Sequence, residues 1–426
     1  MPEFLQLAYL SQALRIWLEA TQPLPRAEPE EIPTQAALGR ILADDIRATG
    51  DLPPFRRSTV DGYAVIAADT FGASASLPAY LHLSGEIAMG VAAVLDLQPG
   101  SAALIHTGGM LPARADAVVM LEDTQPVGEA EIEVLRPVQV GANVLQQGED
   151  VRRGEVALRA GSPLRPQEIG GLMALGIERV KCRGRVRVGL LSSGDEVVPA
   201  VQEPAPGQVR DVNEGTLRAL IELAGGQATS YGIVPDDPDR LEEAMRQAVA
   251  ENELVIVTAG SSVSTRDATA EVIRRLGPPG LLVHGLHVKP GKPTILAVAG
   301  QVPVLGLPGN PVSALIVAHC LAVPMIQAML GVKRPMIAPA VPARLSENVP
   351  SEAGREDFVP VALEPVSNGM QAVPVHGRSN LIFTLIRADG FLRIPPEVTG
   401  LRAGAPVQVH LFPGGLTWPA PIGSDG

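Results

Sequence analysis

Apolar positions change their period along this chain, and the changes divide it. Near the start, Leu7, Leu10, Leu14 and Trp17 recur at helical spacing, which predicts one buried helix face within residues 4–18. A Pro- and Glu-rich link follows at 22–33, then a short apolar stretch at 36–43. Between 51 and 147 the pattern becomes short alternating runs, at 79–83, 102–105 and 117–120, separated by Gly, Pro and Asp; this reads as a small β domain. Residues 151–184 are mixed, with 166–175 predicted as a helix beginning near a proline. From 185 to 330 strands at 186–191, 229–234 and 254–258 alternate with helices at 215–224, 240–250 and 268–276, and a long apolar helix closes the run at 311–330. Such alternation predicts a parallel-type sheet covered by helices on both faces. The tail from 335 returns to short strands, at 358–363, 371–375 and 406–411, as in a small barrel or sandwich.

Composition narrows the class. A chain of 426 residues exceeds one compact core and implies several domains. A formal net charge of −12 argues against a surface for nucleic acid, whose phosphates are held mainly by Lys and Arg, so any bound anion is held locally. Cys182 and Cys320 make no disulfide framework and lack zinc-site spacing, which fits buried thiols in a reducing, cytoplasmic setting. The opening apolar run follows Glu3 and lacks a basic leader, so no signal peptide is expected. No later apolar run is expected to reach the roughly 18 residues of a membrane span.

Four loops of the α/β segment fall where its strands end, the edge at which open parallel sheets bind ligands. Ser192-Ser193-Gly194-Asp195-Glu196 offers hydroxyls and amides for an anion and carboxylates for a hard cation, or is an ordinary turn with a solvated acidic pair. Thr258-Ala259-Gly260-Ser261-Ser262 lets backbone approach a ligand, with Asp267 beyond it either orienting a polar ring or a metal, or capping a helix. Lys289-Pro290-Gly291-Lys292-Pro293 is a stiffened cationic turn suited to phosphate or oxyanion. Leu307-Pro308-Gly309-Asn310-Pro311-Val312-Ser313 places Asn310 as N-cap and Pro311 at the first helical position, so the amides of the long helix could favour an anion.

Taken together, SSGDE, VKPGKP and the LPGNPVSA run resemble the molybdopterin-binding domain shared by several cofactor enzymes. With STVDGYAV, HTGGMLPARADAVVM, QQGEDV and GREDFV added in order, the resemblance covers nearly the whole chain and is specifically to the MoeA/gephyrin E-domain family of molybdenumtransferases. It implies a multidomain α/β and β fold: an elongated mixed domain (1–50 plus 150–184), an inserted β domain (51–149), a central α/β molybdopterin-binding domain (185–331) and a C-terminal β-barrel domain (332–417). It also implies a homodimer whose site combines two subunits.

Carried over by position, the family's motif acids correspond to Asp61, Asp150, Glu196, Asp267 and one of Asp236 or Asp237. Its threonine corresponds to Thr107, its lysines to Lys289 and Lys292, and a C-terminal serine to Ser379. Ser192, Ser193, Gly194, Gly260, Ser261, Ser262, Pro308, Gly309, Asn310 and Pro311 complete the implied substrate-binding set. The chain departs from the family pattern at Gly109-Met110, Ala259, Ser264 and Arg266. The implied reaction inserts molybdate into adenylylated molybdopterin with release of AMP, using Mg2+ held by Asp150 and Glu196, downstream of a molybdopterin adenylyltransferase and with no membrane involved. The alternatives are the preceding adenylyl transfer alone, or a non-catalytic pterin-binding scaffold.

Overall fold

The computed structural model describes residues 7–25, 27–259, 263–333 and 339–413, the side chains of 263–267 excepted. Its central sheet runs Gly226–Val234, Val186–Ser193, Leu254–Ala259, Val302–Pro308, Ile295–Ala299, Pro279–His284. The first four strands are parallel, and the last two join antiparallel. Leu254–Ala259 is buried at every position, because helices cover both faces, and its one polar residue, Thr258, lies near the carboxyl end of the strand. Val188, Leu190, Ile256 and Leu305 face one layer, with Leu217 and Ile221 of helix Asn213–Leu223 and Ile316 and Leu321 of helix Pro311–Met329. Leu191, Val255, Val257 and Val304 face the other, with Leu241 and Met245 of helix Pro238–Glu251 and Val272 and Ile273 of helix Val263–Arg275.

One expectation needs correcting. The Pro311–Met329 helix has the length and apolarity of a membrane span, yet 67% of that apolar window is buried inside the protein, where it serves as the core helix of the α/β layer. Helix Leu10–Ala20 joins the same layer: Trp17 is fully buried, and its Nε1 donates to the Ala297 carbonyl at 2.8 Å.

The chain leaves this region through Pro29–Pro33, which pairs antiparallel with the returning Arg179–Arg183, while Ile46–Arg47 pairs with Val156–Leu158. Between these pairings lies a six-stranded sheet in the order Ala117–Met120, Gly62–Val65, Ser101–Ile105, Ala79–Ile87, Glu131–Val134, Thr124–Val127. At the C-terminal end, Glu356–Val366, Gly369–Pro374, Ala340–Leu345, Pro406–Leu411 and Gly390–Ile394 pair in that order, and the last returns to the first, closing a barrel. The short strand Val288–Lys289 adds parallel to Glu356–Val366, with Lys289 opposite Asp357, and so ties the lysine turn to the barrel.

Candidate functional site

Register brings the loops of the α/β sheet together. Ser193 lies opposite Val234, Ser192 opposite Thr258, and Ala259 opposite Pro308, so four strands end side by side. Ser192 and Ser193 are buried in the strand itself rather than in a loop. Ser193 Oγ donates to Asp236 Oδ1 at 3.0 Å, and the Asp236 amide donates to Asp195 Oδ1 at 3.1 Å. Thr258 Oγ1 donates to Ser192 Oγ at 3.3 Å.

The two candidate aspartates after Val234 differ in employment. Asp237 is the N-cap of Pro238–Glu251 and accepts from the amides of Asp239 and Arg240, both at 3.0 Å. Asp236 instead belongs to the Ser193–Asp195 network. Glu196 is exposed and accepts no side-chain hydrogen bond among the described residues. Gly260, Ser261 and Ser262 lie outside the described residues, as does the Asp267 side chain.

Lys289, Lys292, Pro308, Asn310 and Ser379 line one cleft of about 1290 Å³ at the seam of the α/β layer and the barrel. Gly291 holds the two lysines together. Its φ is +110°, and a Cβ there would stand 2.3 Å from Val317 Cγ2, so no other residue fits. Asn310 Nδ2 donates to Ser379 Oγ at 3.0 Å, and the Val312 amide donates to the Ser379 carbonyl at 3.0 Å. The barrel loop thus caps one of the helix amides that the sequence alone would offer to an anion. Asn213 Nδ2 donates to the Gly309 carbonyl at 2.8 Å, while its buried Oδ1 has no partner among the described residues.

Arg355 and Arg378 also line the cleft and were not singled out from the sequence. Arg355 bonds Asp357 at 2.8 Å and Glu352 at 2.7 Å. Its signal was available in the GREDFV run, where an arginine beside two acids invites an ion-pair network. For Lys289, Lys292 and Arg378, no carboxylate lies within ion-pair distance among the described residues.

The β domain carries a separate group. Gly62 pairs with Ile105, so Asp61 and the residues just after Ser101–Ile105 emerge together. Asp61 Oδ1 accepts from the Thr107 amide at 2.8 Å and from Thr107 Oγ1 at 3.2 Å. These bonds, the amide foremost, with His106 adding its charge, hold Asp61 below the usual carboxylate range. Gly62 is required beside it, because a Cβ there would meet the Val119 carbonyl oxygen at 2.0 Å. Asp150 lies in neither group. It is exposed, in a small cleft with Gln146, Glu149, Arg152 and Glu155. Among the described residues no three acids, histidines or cysteines are grouped closely enough to hold a metal on their own.

Three family models match in order: the MoeA N-terminal region (domain I and II) over residues 9–176, the "Probable molybdopterin binding domain" over 189–328, and the MoeA C-terminal region (domain IV) over 342–412. The chain is 32% identical to the molybdopterin molybdenumtransferase of Haemophilus influenzae, over 95% of this chain and 98% of that one. It is 30% identical to the enzyme of the same name from Bacillus subtilis, over 92% and 93%. Among solved structures, a molybdopterin biosynthesis MoeA protein from Pyrococcus horikoshii superposes with a TM-score of 0.83 at 32% identity, covering 96% of this chain and all of that one.

Proposed function

Because the chain belongs to the MoeA family of molybdopterin molybdenumtransferases and so inserts molybdenum into molybdopterin in molybdenum cofactor biosynthesis, we propose how its residues divide that work. The observation that carries the reading is the seam cleft, where Lys289, Lys292 and Arg378 stand beside Ser379 with no ion-pair partner among the described residues, in a chain of net charge −12. Cations left unpaired in an acidic protein suit a compact dianion such as molybdate. Two lysines act there as point charges, and a hydroxyl supplies orientation.

Pterin and adenylyl phosphates take the carboxyl edge of the α/β sheet, where Ser192, Ser193, Gly194, Pro308, Gly309 and Asn310 converge and Gly260, Ser261, Ser262 and Pro311 are placed by the motifs. Of the two aspartates, Asp236 belongs to this site and Asp237 to the helix cap. Magnesium retains waters and binds through one or two carboxylates plus substrate phosphates, which suits exposed Glu196 and Asp150 better than a closed cage would. When bound, it neutralises charge as the phosphoanhydride breaks. Asp61, kept ionised by Thr107, and Asp267 complete the catalytic acids.

The chain acts as a cytoplasmic homodimer and receives its substrate from a molybdopterin adenylyltransferase. Asp61 and Lys289 sit on different domains, and each site takes Asp61 from one subunit and Lys289 from the other. Adenylylated molybdopterin, molybdate and magnesium should therefore yield AMP and active cofactor. In co-refolded Asp61→Ala and Lys289→Ala, half the dimers are mixed and half their sites intact, so about a quarter of wild-type sites return. No AMP would refute the reaction; no recovery in confirmed heterodimers would refute the shared site.

A further inference from the structure

His106 stands directly across the strand pair from Asp61, one step beyond the Gly62–Ile105 pairing. Glu86 pairs with Leu104, two residues before His106 and hence on the same face of the sheet. The three side chains meet accordingly. His106 Nε2 lies 3.0 Å from Glu86 Oε1, and its Nδ1 lies 3.7 Å from Asp61 Oδ1. A carboxylate can only accept, so Nε2 donates to Glu86 and anchors the ring. The two carboxylates face opposite nitrogens, which rules out a single cation shared by all three groups. The arrangement is a strap.

We infer that His106 is a positioning residue for Asp61, with Glu86 as its anchor. The inference rests on the reading of Asp61 as a catalytic acid. Both Thr107 bonds and the imidazole act on Oδ1, and Oδ2 has no partner among the described residues. Two Thr107 donors on one oxygen, with the imidazole beside it, fix the carboxylate's rotation and leave the other oxygen for the reacting groups. The Nδ1 separation exceeds a hydrogen bond in the unliganded protein, and catalytic contacts of this kind tighten when substrate binds. Side-chain exposures of 42%, 57% and 59% for His106, Asp61 and Glu86 mean the pairs add little to stability. The expected signature is lost turnover in a protein that folds as before.

Isosteres separate the two ring nitrogens. In His106→Asn the amide nitrogen replaces Nδ1, the atom facing Asp61; in His106→Gln it replaces Nε2, the atom facing Glu86. AMP release from adenylylated molybdopterin is measured for both, alongside His106→Phe and Asp61→Ala. The Asn variant keeps the atom facing Asp61 but loses the Glu86 anchor, so it should retain more kcat than the other two His106 variants. The Gln and Phe variants should lose kcat on the order of tenfold with KM unchanged, since misplacing a reacting group slows the chemical step. Asn and Gln variants that behave alike while Asp61→Ala is inactive would overturn the inference. Full activity in Asp61→Ala would instead remove the reading of Asp61 beneath it.

Discussion

Replacing Gly291 by alanine tests whether the lysine turn is built or incidental. At φ +110° an L side chain is strained, at about 1–3 kcal/mol. Its Cβ would also stand 2.3 Å from Val317 Cγ2, on a helix residue that is 2% exposed and cannot swing into solvent. Overpacking of that kind adds about 1–3 kcal/mol, for about 2–6 in all. Trimming Val317 to alanine costs about 2 kcal/mol on its own. In the double variant it should return the steric part and leave the backbone strain, a favourable coupling of about 1–3 kcal/mol. Calorimetric melting of the four proteins measures the coupling, and equilibrium dialysis with molybdate reports whether Lys289 and Lys292 kept their places. Gly291→Ala should bind molybdate more weakly than wild type, and the double variant should recover part of the loss. A Gly291→Ala protein that melts and binds as wild type, or additive melting losses in the double variant, would refute the reasoning.

Asp237→Ala should lose about 1 kcal/mol of stability with turnover retained, and Asp236→Ala the reverse, read by melting and AMP release on each. Glu196→Ala and Asp150→Ala should stay folded, since both residues are exposed, while AMP release is lost and its dependence on added magnesium disappears. The seam should loosen in acid. Burial first, then the neighbouring His410, push His319, whose ring meets Phe391 of the barrel edge-on, below its usual value of 6.5, and its buried Nδ1 has no partner among the described residues. A depressed histidine leaves the docked state binding fewer protons, so its contribution is complete above 6.5 and is lost as pH falls through that value toward the lowered one. Melting temperature against pH should show that loss in wild type and less of it in His319→Phe.

What the sequence disclosed follows from how far each signal reaches. The α/β layer was legible because burial on both faces writes runs such as Leu254–Ala259 directly into the residue order. The strands Pro279–His284, Ile295–Ala299 and Val302–Pro308 were not picked out: Gly and Pro interrupt the first and the last, and the pairing reverses direction at Val302–Pro308. Candidate residues were found where a motif concentrates chemistry in a few positions, as in the lysine turn. The Asp61–His106–Glu86 strap escaped, because partners 20 or more residues apart are joined only by sheet register, and Arg378 escaped because its loop meets the lysine turn only where the barrel packs on the α/β layer.

Register also bears on the proposal that so acidic a chain holds an anion at the lysine turn. Lys289 is fixed opposite Asp357 by the Val288–Lys289 pairing, yet Asp357 accepts from Arg355, which also satisfies Glu352. The two acids that line the cleft with the lysine turn, Glu352 and Asp357, are thus both bonded by Arg355. Without that arrangement, Lys289 would pair with Asp357 across the seam, and an incoming dianion would have to displace a carboxylate before it could bind. On the proposed reading of the lysine turn as the anion site, Arg355 contributes to affinity by occupying the competing acids.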